Sequence, residues 1–294
     1  MSEDQIREAN EVFKEDIKKM SAQQRAQADV PQQQSYRQDD MKDFEVPTEL
    51  VPLPSNGLVY PATSPLHNRE EIEIRCMTAN DENVLTSRAL LKKGTVIEVL
   101  LKNCLVNKLI NVSEMLVGDR NAIMIALRIT GYGSDYTTGF NCDSCSKQVQ
   151  ETFQLTELPI KRLNIQPLEP YTNRFLFTLP KWKKDVIFKF MTGADESELM
   201  KTFERARKIS EIESVVTTQL INSIISIDGN EDRAFISKVV GKMPSSDSLA
   251  LRSYINENEP GIDMKSYFTC SNCGYDGEVE VPIGPSFLWP QGRR

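Results

Sequence analysis

The chain has 294 residues, of which 39% are hydrophobic; it can bury one large core or two modest ones, but this fraction is low for a fully packed domain. Its formal net charge of −7 argues against a general binder of nucleic acid or of acidic membranes, because such binders rely on a basic surface. No uncharged apolar run is long enough for a membrane span and no signal peptide is visible, so we expect the reducing cytoplasm, where cysteines suggest metal binding before disulfides.

The first 45 residues carry a short amphipathic pattern followed by a polar tail. Apolar residues recur there at helical spacing among charged ones, at Ile6, Ala9, Phe13, Ile17 and Met20. A Gln-rich stretch follows, with few residues able to pack against a core. Two interpretations of residues 1–45 stay open. One is a docking helix on a flexible tether whose partner lies elsewhere in an assembly, and the other is a terminus that folds back on its own domain.

Residues 46–160 predict a core domain with a β-rich start and three helices. A Ser-Asn-Gly turn at 55–57 precedes a strand through Ile72 and Ile74, where apolar and charged residues alternate. The predicted helices run from Thr78 to Leu91, over TVIEVLLKNCLV, and from about Asp119 through GDRNAIMIALRIT. The last two are apolar on more than one face, which is typical of helices inside a core.

The segment 161–262 predicts a β-hairpin followed by helices. RFLFTLP and DVIFKFM flank a turn at 180–183, and helices are predicted over 194–209, 211–227, 231–242 and 245–257. The last segment, 263–294, ends in VPIGPSFLWPQGRR, whose prolines argue against a helix and whose aromatic residues need a surface to cover. We see no internal repeat in the sequence beyond two similar cysteine hairpins.

Two Cys-x-x-Cys pairs are the most informative feature of the chain. The pairs are Cys142 with Cys145, and Cys270 with Cys273. Alternating, strand-like residues lie on both sides of each pair, which predicts that each pair sits at the tip of a β-hairpin. The pairs are separated by 124 residues (146–269), so a shared metal ion would tie together distant parts of the chain.

Four cysteines arranged in two such pairs predict a structural Zn²⁺ site, because zinc takes four thiolates tetrahedrally at about 2.3 Å. A catalytic zinc keeps one position open for water, and four cysteines leave none. A redox function is the rival interpretation, but it needs a pair at a helix N-terminus, and neither pair precedes a helix-like sequence. Cys76 and Cys104 lie in apolar surroundings, and we expect them to be buried and inert.

No catalytic residue is predicted. The sequence lacks a phosphate-binding glycine loop, a dinucleotide fingerprint and a nucleophile elbow, and its one histidine, His67, fits a solvated loop. Asp81 fits the first turn of a helix. Asp119 fits an N-cap, with a buried ion pair to Arg120 or an interface contact as the alternatives. The lysines of 181–184 fit a solvated turn better than a phosphate site.

Several segments together resemble a known family. They are LPSNGLVYP, EIEIRCMTANDENVL, the LLKNCL helix, MLVGDRNAIMIALRITGYG and the first cysteine hairpin. In content and order they resemble the baseplate hub protein family of the T-even-type, contractile-tailed bacteriophages. The most specific parts are the stretch from Arg75 to Glu82, the Gly-Asp-Arg at 118–120 and the Tyr-Gly at 132–133. The resemblance covers roughly residues 48–158, and the close of the chain, with Phe287 and Trp289-Pro290, also resembles that of longer members.

The resemblance implies a protein made in the host cytoplasm during assembly, and either built into the virion tail baseplate or needed to assemble its hub. It implies partners among the other phage baseplate or tail proteins, which we expect at the N-terminal helix and the C-terminal tail. We expect no nucleic acid, membrane or small-molecule substrate, and no enzymatic activity. The alternative is a zinc-ribbon nucleic-acid-binding factor of late transcription or packaging, against which the acidic charge stands.

In fold class we expect an α+β protein. It would have a helical core, β-hairpins that form a four-cysteine zinc ribbon, and a helical insertion between the ribbon halves. The predicted division of the chain is 1–45, 46–160, 161–262 and 263–294, with the second half of the ribbon and the aromatic tail in the last segment.

Overall fold

The computed structural model describes residues 45–209, 215–281, 283 and 285–288, so the helix and tether predicted for the N-terminal segment lie outside the described residues. The strands are β1 (Thr48–Pro52), β2 (Glu71–Arg75), β3 (Asp135–Asn141), β4 (Gln148–Gln154), β5 (Ile160–Lys161), β6 (Phe175–Thr178), β7 (Asp185–Phe188), β8 (Ile224–Ile227), β9 (Gly261–Ile262), β10 (Lys265–Thr269) and β11 (Asp276–Glu280). The α-helices are α1 (Ala79–Leu85), α2 (Arg88–Lys93), α3 (Val96–Cys104), α4 (Val117–Tyr132), α5 (Gly193–Ile209), α6 (Val215–Ser223), α7 (Arg233–Val240), α8 (Ser245–Asn258) and α9 (Pro285–Leu288). Short antiparallel sheets with helices between them confirm the predicted α+β class.

The chain contains two copies of one arrangement, over residues 48–154 and 175–280. Each copy has an antiparallel strand pair, two helical segments, a return of the chain to the edge of the strand pair, a long helix and a cysteine hairpin. Before the long helix, the second copy has α7 where the first has a 3-10 turn over Val112–Glu114. Leu105 bridges to Ile74 in the first copy as Ile224 pairs with Phe188 in the second. The expectation of no repeat beyond the cysteine hairpins is therefore wrong. Connections of different length and few shared residues conceal the repeat in the sequence.

The turn from the second strand into the next helix is built in the same way in both copies. The backbone N–H and the hydroxyl of Thr78 each donate to Oδ2 of Asp81 at 2.8 Å, and Arg75 contacts the same carboxylate at 2.6 Å. In the second copy the corresponding residues are Lys189, Thr192 and Asp195, with distances of 3.0, 2.7 and 2.6 Å. The sequence Met-Thr-x-x-Asp-Glu thus specifies a capped helix start, held to the preceding strand by an ion pair.

Asp119 lies in the first turn of α4, so its expected position as an N-cap is wrong. The side chain is fully buried and accepts hydrogen bonds from the backbone N–H of Ser55 (3.0 Å), the hydroxyl of Ser55 (2.6 Å) and the hydroxyl of Tyr60 (2.6 Å). Burial raises the pKa of Asp119. Arg120 instead donates to Glu196 at 2.9 Å. Asp119 therefore fastens the loop that follows β1 to the start of α4.

Asp247 has the equivalent position in the second copy. It is the third residue of α8, as Asp119 is the third residue of α4, and it is also fully buried. Its carboxylate accepts hydrogen bonds from the backbone N–H groups of Lys181 (2.7 Å) and Trp182 (3.0 Å). Ser55 and Lys181 each directly follow a Leu-Pro pair. The two long helices are therefore held to the two strand pairs by the same kind of contact.

The helix predicted from Thr78 to Leu91 is interrupted. It forms as α1 and α2, because the hydroxyl of Thr86 donates back to the carbonyl groups of Glu82 (3.0 Å) and Asn83 (3.3 Å) and Ser87 is extended. Gly94 ends α2 in the left-handed conformation, with φ of 68°.

The helix predicted over 211–227 is wrong at its C-terminal end. The described part of it is helical only up to Ser223, and the four residues Ile-Ile-Ser-Ile form β8, which pairs with β7 in register Val186↔Ile227. The predicted hairpin of β6 and β7 is confirmed. β-branched residues at the edge of an existing hairpin favour the sheet, and a local pattern cannot anticipate that pairing.

The C-terminal aromatic segment differs from its prediction. Residues 285–288 form the short helix α9, and Phe287 and Leu288 are fully buried in the chain's own core. The ring of Phe287 lies edge-on to that of Tyr136, with centroids 4.8 Å apart. The expectation that these two side chains cover a partner protein is therefore wrong, because they cover this chain instead.

One hydrophobic core runs through both copies. It extends from Val51 in β1 to Leu288 and includes buried side chains of the insertion such as Phe175, Phe188 and Leu251. A second, smaller cluster lies between the two cysteine hairpins. Across the described residues, every helix is too short or too polar to cross a lipid bilayer.

Candidate metal centre

The two cysteine pairs lie at the tips of two equivalent hairpins, as predicted. Strands β3 and β4 pair from Asp135↔Gln154 to Asn141↔Gln148, and strands β10 and β11 pair from Lys265↔Glu280 to Thr269↔Asp276. In each hairpin the first cysteine follows the first strand directly. The alternation of side chains along these strands therefore positions the cysteines at the turn.

The backbone of the two turns is the same. The N–H of Ser146 donates to the carbonyl of Cys142 at 2.8 Å, and the N–H of Cys142 donates to the carbonyl of Lys147 at 2.9 Å. Gly274 and Cys270 make the equivalent two bonds in the second hairpin, each at 2.8 Å. The residue after the second cysteine is left-handed in both turns, with φ of 57° at Ser146 and 70° at Gly274. This geometry turns both thiols of a pair toward one point.

The four sulfur atoms meet at that point. The Sγ atoms of Cys142 and Cys273 lie 3.9 Å apart, those of Cys145 and Cys270 lie 3.8 Å apart, and all four lie within 4.8 Å of one another. Four thiolates around zinc at about 2.3 Å would be about 3.8 Å apart. The separations are well above the S–S bond length of about 2.0 Å, so the cysteines are free thiols. The donor set and its spacing fit a tetrahedral metal ion.

Burial differs within each pair in the same way. Cys142 and Cys270 are buried, whereas Cys145 is half-buried and Cys273 is exposed. Desolvation raises the pKa of Cys270, but the backbone N–H groups of Asn272 and Cys273 donate to its sulfur and lower its pKa overall, whereas the neighbouring cysteine side chains raise the pKa of Cys273. Such N–H donors stabilise a thiolate, which is the form that binds metal.

A small hydrophobic cluster also joins the two hairpins beside the sulfur atoms. Phe140 and Phe268 meet edge to face with ring centroids 4.6 Å apart, and Val149 and Val279 pack in the same small cluster. An aromatic pair of this kind contributes about 0.5–1.5 kcal/mol beyond its buried area. Two-stranded hairpins are marginally stable by themselves. A metal ion shared by the four cysteines would therefore add a strong connection between the hairpins.

The remaining candidate residues lie away from this centre. Cys104 is buried, and desolvation raises its pKa to about 12, as expected for an inert thiol. Cys76 is only half-buried, contrary to expectation. His67 is partly buried rather than solvated, with Nδ1 2.9 Å from the carbonyl oxygen of Tyr60 and its ring 4.1 Å from that of Tyr171.

The match to a family model agrees with the resemblance seen in the sequence and extends it. The model described as "T4 bacteriophage base plate protein" matches residues 53–289, which include all of the second copy and all of the first copy except β1. The chain belongs to this baseplate protein family. The match reaches well beyond residues 48–158, which carry most of the resemblance seen in the sequence, and it includes the segment with Phe287. No curated protein and no solved structure matches the chain.

Segments that carried the resemblance to baseplate proteins contact one another in the fold. The loop containing LPSNGLVYP and the Gly-Asp-Arg of α4 meet at Asp119. The hydroxyl of Tyr132 donates to Glu82 at 2.9 Å, which joins the end of α4 to α1. Gly118 lies so close to the backbone of Pro260 that a Cβ atom there would be 1.8 Å from its carbonyl oxygen. These contacts could not be predicted from the sequence, because each one joins residues that are far apart in the chain.

Proposed function

We propose that this member of the baseplate family is a structural or assembly protein of the contractile-tail hub, stapled by a structural Zn²⁺ and without enzymatic activity. The metal ligands in this proposal are Cys142, Cys145, Cys270 and Cys273. The match to the baseplate family over residues 53–289 is the observation that carries the proposed role. Convergence of four thiols from two distant hairpins supports the metal. A Cys₄ site has no open coordination position for a substrate, which favours a structural function.

Metal analysis of the purified full chain tests the zinc. We expect one zinc per chain, and we expect Cys142→Ser to lose it and to open the two hairpins to proteolysis. Cys76→Ser is the matched control, because Cys76 lies outside the cluster. If free zinc exceeds its dissociation constant about 1,000-fold, bound zinc stabilises the protein by about 4 kcal/mol. Iron in place of zinc, or a Cys142→Ser protein that keeps its metal and its melting temperature, would contradict the proposal.

The role in the phage is tested by mass spectrometry of purified virions together with a gene knockout. A fixed, low copy number in the virion means a structural component of the baseplate. Absence from the virion combined with tailless particles in the knockout means an assembly factor in the host cytoplasm. Absence combined with normal tails would refute both forms of the proposal.

Association with other baseplate proteins follows from the family, and residues 1–45 are our proposed docking segment. The C-terminal residues Phe287 and Leu288 are excluded from this role, because both are buried in the chain's own core. Cross-linking of residues 1–45 to another baseplate protein in assembled particles would support the assignment. Cross-links confined to this chain would support the alternative, a terminus that folds back.

A further inference from the structure

We propose that the surface around Leu109 docks a neighbouring baseplate protein that presents a large apolar side chain flanked by lysine or arginine. This inference rests on the proposed function and names the surface and the chemistry of the partner. The Leu109 surface consists of Leu50, Val106 and Leu109 with the carboxylates of Glu71 and Glu73. It lies on the outer side of the β1–β2 pair and on the turn that follows α3.

Two adjoining clefts shape this surface. One of about 320 Å³ is lined by Leu50, Glu71, Glu73 and Val106, and one of about 280 Å³ is lined by Leu109. Pro65 lines both clefts, and the turn 106–111 contributes to both. Leu109 is 81% exposed, Leu50 61% and Val106 43%. Adjacent exposed apolar side chains beside concave surfaces are typical of protein contacts.

The turn that exposes Leu109 is held in place by its own hydrogen bonds. The N–H of Leu109 donates to the side chain of Asn107 at 3.0 Å. Lys108 folds back and donates to the last carbonyl groups of α3, those of Lys102 (3.1 Å) and Asn103 (2.7 Å). Leu109 is thus presented to solvent by an ordered turn, which reduces the entropy lost when a partner binds.

The second copy of the repeat provides an internal comparison. Its equivalent connection, after β8, reads Asp-Gly-Asn-Glu-Asp at 228–232, and all five residues are polar or glycine and exposed. The shared architecture therefore does not require an apolar side chain at this turn. An exposed leucine at this turn is found in the first copy and not in the second, so the fold does not account for it. Binding to a partner does.

Charge determines the chemistry of the partner. The two clefts are lined by three carboxylates, those of Glu71, Glu73 and Glu114, against one guanidinium, that of Arg69. Within the described residues, neither Glu71 nor Glu73 forms an ion pair. A partner with basic groups beside its apolar anchor would complement this rim, which raises the association rate and disfavours acidic competitors.

The test uses the full chain and baseplate subassemblies purified from cells infected with the knockout phage. Binding of fluorescently labelled chain is measured at low and high salt for Leu109→Asp and for Glu71→Lys combined with Glu73→Lys. The matched controls are Leu249→Asp, at a leucine that is 57% exposed on α8, and Glu257→Lys on the same helix. Thermal melting confirms that each variant is folded.

We expect Leu109→Asp to weaken binding about tenfold or more, since a central anchor at an interface commonly contributes that much. We expect the double charge reversal to weaken binding and to reduce its salt dependence, with both controls unchanged. Binding of Leu109→Asp that equals the wild type would overturn the inference. If the chain self-associates and Leu109→Asp abolishes that association, the occupant is a second copy and the inference is overturned. Cross-links from residues 1–44 to Lys108 would overturn it in favour of the chain's own N-terminal segment. A wild type that binds no subassembly, with normal tails in the knockout, would instead refute the proposed function.

Discussion

Replacing Gly118 by alanine should destabilise the protein through one backbone contact. Gly118 lies in the first turn of α4, and a Cβ atom there would be 1.8 Å from the carbonyl oxygen of Pro260 and 2.9 Å from Cα of Gly261. A carbon and an oxygen in contact stay about 3.3 Å apart, so the two backbones would have to separate by roughly 1.5 Å. Gly261 begins β9, which pairs with β5, so the displacement would also strain that pairing.

The size of the effect follows from two opposing terms. Alanine is favoured over glycine inside a helix by about 1 kcal/mol, and less in its first turn. Overpacking against rigid surroundings costs about 1–3 kcal/mol and sometimes more. The new methyl group at position 118 meets backbone atoms rather than a flexible side chain. We therefore expect the cost of overpacking to exceed the gain in helix propensity. Subtracting a gain of roughly 0.5 kcal/mol for alanine leaves a net loss of about 0.5–2.5 kcal/mol, which lowers the melting temperature by roughly 1–10 °C.

Gly131→Ala is the matched control, because Gly131 lies near the other end of the same helix. A Cβ atom there would meet only Cε of Met77, at 2.8 Å, which is the end of a flexible side chain. This variant should be unchanged or slightly more stable. Thermal melting of both variants at one zinc concentration is the assay. Equal melting temperatures for Gly118→Ala and the wild type would refute the reasoning that this close approach is rigid.

Three further predictions concern single contacts. Tyr60→Phe should lower the free energy of unfolding, measured in urea, by about 2–4 kcal/mol. The change removes a hydrogen-bond donor to Asp119 and the acceptor of the buried N–H of Leu116, which lies 3.0 Å from the hydroxyl. Tyr267→Phe is the control and should leave stability unchanged, because Tyr267 is exposed. Desolvation opposes ionisation of Asp81, but Arg75 and Thr78 outweigh it and lower the pKa of Asp81 to about 2. The contribution of Asp81 to folding stability is therefore fully present above the unfolded pKa of about 3.9, and it is lost as the pH falls toward 2. Asp81→Asn should therefore flatten the pH dependence of stability over that window, and an unchanged profile would contradict the assignment. Ser146→Gly should stabilise the protein by about 0.5–1 kcal/mol, because Ser146 has φ of 57° at the position that Gly274 occupies in the other hairpin. A lower melting temperature for this variant would count against the prediction.

The candidate site shows how much can be predicted from local pattern. Both cysteine hairpins were predicted from alternating residues around each pair, and both are confirmed with the cysteines at the turns. The spacing within each pair is a local property, because a tight turn by itself directs two thiols to one side. Convergence of the two pairs depends on the tertiary packing of the chain between Cys145 and Cys270. The sequence could only suggest it from the known ligand number of zinc.

The same distinction explains the errors. Asp119 is a residue type that favours the N-cap of a helix, and the local sequence therefore predicted that position. Only the packing of the loop with Ser55 and Tyr60 makes Asp119 a buried hydrogen-bond acceptor instead. The residues of β8 are strand-like and helix-like at once, and an existing hairpin decided between the two. Phe287 follows prolines near the end of the chain, and its burial depends on packing against Tyr136, which no local pattern reveals.

The amino-acid sequence by itself determined the fold class, the two cysteine turns and membership of a baseplate family. These depend on periodicity, turn residues and short spacings, which act over a few residues along the chain. The tertiary structure alone decided that the chain contains two copies of one arrangement. It also decided that Asp119 and Asp247 accept equivalent hydrogen bonds, each fastening a long helix to a strand pair. Leu109 is exposed in the first copy at a turn that is polar in the second. Such properties arise from contacts between residues tens to hundreds of positions apart, and their free energy appears only when the whole core has assembled.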